Sequence, residues 1–297
     1  MNKREIFLGV FFWLVLIISA CEKDEEIIPV PPAAEQPAPP VTEPEPSAGG
    51  EDEEEKSSLN FNSEFFQSGE FKKLRYRVLV PRNYDSTKSY PLHLFLHGLG
   101  ERGTDNEQQL SLGSSHFQAD SIRNNYPSFI IYPQCPATDY WFSDSMTHTL
   151  KDLIDEFVTN QKIDKEKISI GGFSMGAYGT FAMAAQYPGF FEAAVAISGD
   201  GDEKKAAAMA KTRWQIFAGK RDDVVASSKT AEMAKALKKA LASVSFTLYP
   251  YADHGNTWQK AFSEPDFFYR LFSEDRVLPE RFTTLLSGKQ HLLSNRQ

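Results

Sequence analysis

Two cysteines, Cys21 and Cys135, are all that the 297 residues contain. That scarcity excludes a fold stapled by a disulfide framework, and Cys135 reads as a small apolar core residue. No metal-ligand spacing, phosphate loop or dinucleotide fingerprint occurs, so no cofactor is expected. Only one long apolar run is present, the thirteen residues from Ile6 to Ile18, interrupted by Gly9. It is too short to span a bilayer comfortably. The formal charge of −8 is concentrated in residues 22–56, where twelve acidic residues face only Lys23 and Lys56. The remainder is nearly neutral, which gives no basis for a nucleic-acid partner.

The short apolar run, preceded by Lys3 and Arg4, has the form of a signal peptide over residues 1–21. It ends in Ile18-Ser19-Ala20-Cys21, which resembles the bacterial lipobox. The resemblance implies acylation of Cys21 and a membrane partner reached through that lipid anchor. The acidic run that follows, Glu22 to Glu26, resembles signals that carry lipoproteins to the cell-surface side of an outer membrane. Residues 22–60 hold eight of the seventeen prolines between Pro29 and Pro46, then the run Glu51 to Glu55. Such a stretch cannot bury enough apolar surface to fold and reads as an extended stalk.

From Phe61 to about residue 275 the composition turns globular, and residues 276–297 form a tail without readable pattern. Short β-rich runs alternate with helical patterns, which predicts an α/β fold with a mostly parallel sheet and helices on both faces. Strands are expected at 74–80, 92–96, 129–132, 168–170, 193–197, 214–218 and 245–249. The first two are expected to pair as an antiparallel hairpin at the sheet edge. Helices are expected at 149–159, 177–186, 227–241 and 259–272. The interval from Ser198 to Trp214 has room for a short charged helix but not for a large lid.

Within this frame Gly172-Phe173-Ser174-Met175-Gly176 joins a strand to a helix through Gly-x-Ser-x-Gly. Residues two before and two after the serine must be tiny for so sharp a turn, and the turn lifts the hydroxyl above the sheet. The pattern alone is weak, but a β-branched strand and a small-residue helix flank it here. His97-Gly98-Leu99-Gly100 follows an earlier strand. In this setting the backbone N–H groups of Leu99 and Met175 are the candidate oxyanion donors. His97 precedes the serine in the chain and reads as structural, with Glu101 and Arg102 bracing its loop. Only His254 and His291 follow Ser174, and His254 lies in a loop after a strand. Asp222, in the loop after strand 214–218, is the candidate acid, with Asp223 and Asp200 as alternatives. Ser174, Asp222 and His254 thus form a candidate catalytic triad. Trp141 and Trp258 are candidate substrate-binding walls, with core packing the competing role for each.

Over residues 70–275 the chain resembles the serine hydrolases that include feruloyl esterases, polyhydroxybutyrate depolymerase-like esterases and enzymes described as predicted peptidases. The likeness lies in 76–81 (YRVLVP), 96–106 (LHGLGERGTDN), 132–136 (YPQCP), 172–180 (GFSMGAYGT) and 249–254 (YPYADH). It implies the α/β-hydrolase fold, an ester-bearing small molecule or polysaccharide as substrate, and no cofactor. It also places the acid at Asp222 through Gly219-x-x-Asp222-x-x-Val225. The chain departs from the pattern at Ala177, where glycine is common, and at Ala226, where proline is usual.

Overall fold

The structure is a computed structural model and describes residues 63–273. The expected signal peptide and its Cys21, the whole of the expected stalk over residues 22–60, the C-terminal tail and His291 lie outside the described residues. Among the described residues eight strands form one sheet: β1 (Phe66–Phe71), β2 (Leu74–Leu79), β3 (Tyr90–Leu96), β4 (Phe129–Gln134), β5 (Ile163–Phe173), β6 (Ala193–Ile197), β7 (Arg213–Gly219) and β8 (Val244–Tyr249). Their spatial order is β1-β2-β4-β3-β5-β6-β7-β8. The β1–β2 and β2–β4 pairs are antiparallel and every later pair is parallel. Among the described residues seven helices accompany them: α1 (Ser114–Gln118), α2 (Asp120–Asn125), α3 (Asp144–Asn160), α4 (Met175–Gln186), α5 (Ser227–Lys239), α6 (His254–Phe262) and α7 (Phe267–Phe272).

The two-residue period of a strand divides the core into two layers. Leu92, Leu94 and Leu96 of β3 face one layer with Leu150 of α3, Met183 of α4 and Met233 of α5. Phe95 faces the other, with Phe117 of α1, Phe262 of α6 and Phe267 of α7. Helices therefore cover both faces, and β4 and β6 are buried along their whole length. This is why those strands read as unbroken apolar runs in the sequence.

Two expectations need correction. The hairpin at the sheet edge is β1–β2, joined through Lys72 and Lys73, both at positive φ (48° and 71°). The strand 74–79 therefore pairs with 66–71 and β4, while β3 lies inside the sheet between β4 and β5. The helix expected over 259–272 is two helices with Pro265 between them, where a proline ring clashes with the preceding turn and offers no N–H. The connection from β6 to β7 carries only a 3-10 helix, Glu203–Met209.

Candidate active site

Strand β5 delivers the chain into Ser174 at φ 53°, ψ −119°, a left-handed conformation that a side-chain-bearing residue seldom adopts. The strain is held by neighbours that have no room for a Cβ. One added to Gly172 would lie 2.4 Å from the Gly176 carbonyl carbon, and one added to Gly176 would lie 1.9 Å from the Leu96 oxygen. The Ser174 N–H donates to the Ile197 carbonyl at 2.9 Å, tying the turn to β6. Although Ser174 occupies the N-cap of α4, its side chain makes no capping bond. Its Oγ instead lies 2.9 Å from His254 Nε2.

His254 opens α6, and its position is fixed by a reciprocal capping box. Asp253 Oδ1 accepts from Asn256 N–H at 2.9 Å, and Asn256 Oδ1 accepts from Asp253 N–H at 3.2 Å. The imidazole packs against Phe173, with ring centroids 4.9 Å apart. Its Nδ1 lies 3.0 and 2.9 Å from the two oxygens of Asp222. Asp222 Oδ1 also accepts from the N–H groups of Val224 and Val225 at 3.0 and 2.8 Å. That fixes the carboxylate, and because a carboxylate can only accept, Nδ1 carries the imidazole proton and Nε2 presents its lone pair to Ser174. Asp223 is exposed and takes no part in this chain of contacts. Ala226 is the N-cap of α5 at φ −53°, and Ala177 packs directly beneath Gly199.

Met175 and Leu99 are the first residues of α4 and of the 3-10 helix Leu99–Glu101. The N–H groups at such positions have no acceptor within their own helix. Gly176 rests on the backbone of Leu96 and His97, which brings the two segments together. Arg102 Nε donates to the Leu99 carbonyl at 3.3 Å and its Nη1 to the Asp139 carbonyl at 3.2 Å, bracing the loop.

His97 is fully buried under this loop. Its Nε2 accepts from the Cys135 N–H at 2.9 Å and its Nδ1 donates to the Gly98 carbonyl at 2.6 Å, which defines a neutral tautomer. Burial lowers its pKa to about 4, so its 4.0 Å approach to Glu101 is no ion pair at neutral pH. His93, buried against Phe117 and Ser169, is lowered by burial to about 3. Cys135 is buried, with its thiol pushed up to about 12 chiefly by burial.

Both histidines have folded-state pKa values below the value of 6.5 for a free imidazole. Their contribution is therefore complete above pH 6.5 and is lost as acid protonates them in the unfolded chain only. Glu101, raised by burial, acts in the opposite sense and offsets part of the loss. The unfolding free energy measured in urea is expected to fall by roughly 3 kcal/mol from pH 7 to pH 5. A value unchanged over that interval would contradict the neutral burial of His93 and His97.

Neither tryptophan forms a substrate wall. Trp141 is fully buried, donates its indole N–H to the His97 carbonyl at 3.0 Å, and packs over Gly179. Trp258 is 8% exposed and packs edge-on to Phe262 in the core. An indole whose N–H has an interior acceptor buries without penalty, and this is what turns Trp141 inward. Its neighbours Tyr140 and Phe142 are the rings that reach solvent, an alternation that the apolar stretch 140–142 did not reveal. The capping box around His254 has its local signal in the sequence as Asp253-x-x-Asn256.

Residues 137–266 match the model of the Dienelactone hydrolase family. Among solved structures, a thermostable esterase is 28% identical with a TM-score of 0.67, over 70% of this chain. The chain spans 62% of that esterase's length. The feruloyl esterase module of Clostridium thermocellum is 15% identical with a TM-score of 0.60, over 75% of this chain and 94% of the module. Dipeptidyl peptidase 4 of Porphyromonas gingivalis is 15% identical with a TM-score of 0.53, over 69% of this chain and 35% of that one. No curated protein matches. With a mostly parallel eight-stranded sheet, helices on both faces and these likenesses, the chain has the α/β-hydrolase fold and resembles the esterases built on it.

Proposed function

We propose that the chain is a serine hydrolase of carboxylic esters that works through an acyl-enzyme on Ser174. The observation that carries this reading is the unbroken contact chain Ser174 Oγ–His254 Nε2, His254 Nδ1–Asp222. His254 removes the Ser174 proton as Oγ attacks the ester carbonyl, and Asp222 stabilises the resulting imidazolium. The N–H groups of Leu99 and Met175 hold the oxyanion. Collapse of the tetrahedral adduct breaks the ester C–O bond, and His254 returns its proton to the leaving alcohol. Water, deprotonated by the same imidazole, then releases the acid and restores Ser174.

The matched family model and the similarity to a thermostable esterase support an ester rather than an amide as substrate. The short β6–β7 connection, with its single 3-10 helix, supports an open cleft. Together with the lipid anchor and stalk read in residues 21–60, this favours acetyl or feruloyl groups carried by plant polysaccharides or glycosides. The test compares p-nitrophenyl acetate, methyl ferulate and a peptide anilide with the full chain. Turnover of the esters without the anilide is expected. Preference for the anilide would make the protein a peptidase, and inertness toward all three would favour a glycan-binding lipoprotein on a hydrolase scaffold.

A further inference from the structure

We infer that Phe173, the residue before the nucleophile, is a positioning residue for the reaction: its ring face steadies the His254 imidazole and stabilises the charge that the imidazole takes up when Ser174 attacks. The inference rests on the ester-hydrolase reading and adds a third partner to the two polar contacts of His254.

The placement of Phe173 follows from the strand that carries it. β5 ends at Phe173, and its side chains alternate between the two core layers. Ile168 and Ile170 belong to the layer that holds Met183 of α4. Phe173 belongs to the opposite one, with Phe217 of β7 and Trp258 of α6. The chain then turns at Ser174, φ 53°, and the serine Oγ lies 2.9 Å from His254 Nε2. Because α6 opens with His254 on the same side of the sheet, the side chain at 173 is set against the imidazole. The two ring centroids are 4.9 Å apart and their planes are inclined by 36°. A Cβ built on Gly98 would lie 3.4 Å from Phe173 Cδ1, so the same ring also abuts the segment leading into Leu99. One buried ring thus touches the base and the loop that carries a candidate oxyanion donor.

The electrostatic consequence appears only during the reaction. In the resting site the imidazole is neutral, and it becomes an imidazolium as it takes the Ser174 proton. Asp222 meets that charge at Nδ1 and the serine oxygen at Nε2, both through hydrogen bonds at the edge of the imidazole. Its face is left to Phe173. Planes inclined by 36°, rather than crossed at right angles, turn the negative π face of the phenyl ring toward the developing charge. The His254 side chain is only 15% exposed, so water screens the attraction little. Such a contact, when desolvated, is worth about tenfold in rate or more. An aliphatic residue of similar volume would fill the space and supply none of this.

The experiment replaces Phe173 of the full chain, by site-specific incorporation, with 4-fluoro-, 3,5-difluoro- and 3,4,5-trifluorophenylalanine. Fluorine drains the π face and leaves the shape of the ring nearly unchanged, so core packing is retained along the series. The kcat for p-nitrophenyl acetate is expected to fall in steps with each fluorine, about tenfold in all, with KM constant within about twofold. Phe173→Leu should fall by about the same factor. Equal kcat across the fluorinated series, or a change in KM alone, would overturn the inference and leave Phe173 as a core residue. If the wild type turns over no ester, the ester-hydrolase reading fails by itself, and the rate at which a fluorophosphonate captures Ser174 decides the role of Phe173. The same stepwise fall in capture rate would sustain it. A rate independent of fluorine number, or no capture at all, would overturn it.

Discussion

Ser174→Ala is expected to lower ester kcat by about 10⁶-fold, with a change in Tm within a degree or so, because the hydroxyl serves the reaction and not the fold. The Ser174 side chain makes no capping bond to α4, and its backbone N–H bond to Ile197 survives the substitution. Asp222→Asn should be nearly as damaging, about 10⁴-fold, for a reason visible in the contacts. The Val224 and Val225 N–H groups both require an acceptor at Oδ1. An asparagine must therefore keep its oxygen there and turn its NH₂ toward His254 Nδ1. A donor at the Oδ2 position, 2.9 Å from Nδ1, favours the tautomer with its proton on Nε2, and that tautomer cannot accept from Ser174. Stopped-flow or long-timescale ester assays on both variants, with Tm recorded beside them, check this. A Ser174→Ala variant retaining more than about a tenth of wild-type turnover would refute the assignment.

Gly176→Ala is expected to harm both stability and chemistry. Its Cβ would meet the Leu96 oxygen at 1.9 Å, the Leu96 carbonyl carbon at 2.5 Å and the His97 oxygen at 2.9 Å. All three are backbone atoms of β3 and the segment after it, so relief requires α4 to move away from the sheet. Overpacking of this kind costs about 3 kcal/mol or more, and for a domain of this size Tm should drop by roughly 6–12 °C. The same wedge separates Met175 from the segment leading to Leu99. Any protein that still folds is therefore expected to lose a further 10²–10³-fold in kcat, as when one oxyanion donor is removed. Thermal unfolding together with ester kinetics measures both effects. Full activity at unchanged Tm would show that the elbow tolerates a side chain there.

The residues of the site were legible because each is tied to a local constraint that leaves a mark in the sequence. The sharp turn at Ser174 demands small residues at 172 and 176, and the fold's chain order then leaves His254 and Asp222 as the partners. The alternatives at Asp223 and Asp200 are separated by geometry, since only Asp222 meets His254. Buried parallel strands were legible from their continuous apolar character. Strand β1 was not, because Phe66–Phe71 contains Gln67, Ser68, Gly69 and Glu70, and only Phe66 is buried. Its hairpin turn is Lys72-Lys73, which lacks the asparagine or glycine that usually marks positive φ. Gly69 in that strand makes room for the ring of Tyr76, a cross-strand contact that no local pattern reports. The tryptophans were misplaced for a related reason. Whether Trp141 points inward depends on the His97 carbonyl waiting for its N–H, which is a tertiary fact.

The central claim is that Ser174 Oγ is a nucleophile activated by His254. The most direct test is to treat the full chain with a fluorophosphonate, which captures an activated serine covalently, and to locate the adduct by peptide mass spectrometry. One equivalent per chain on the peptide containing Ser174 is predicted, with no labelling of Ser174→Ala. An unlabelled wild-type protein, or an adduct on a different residue, would contradict it.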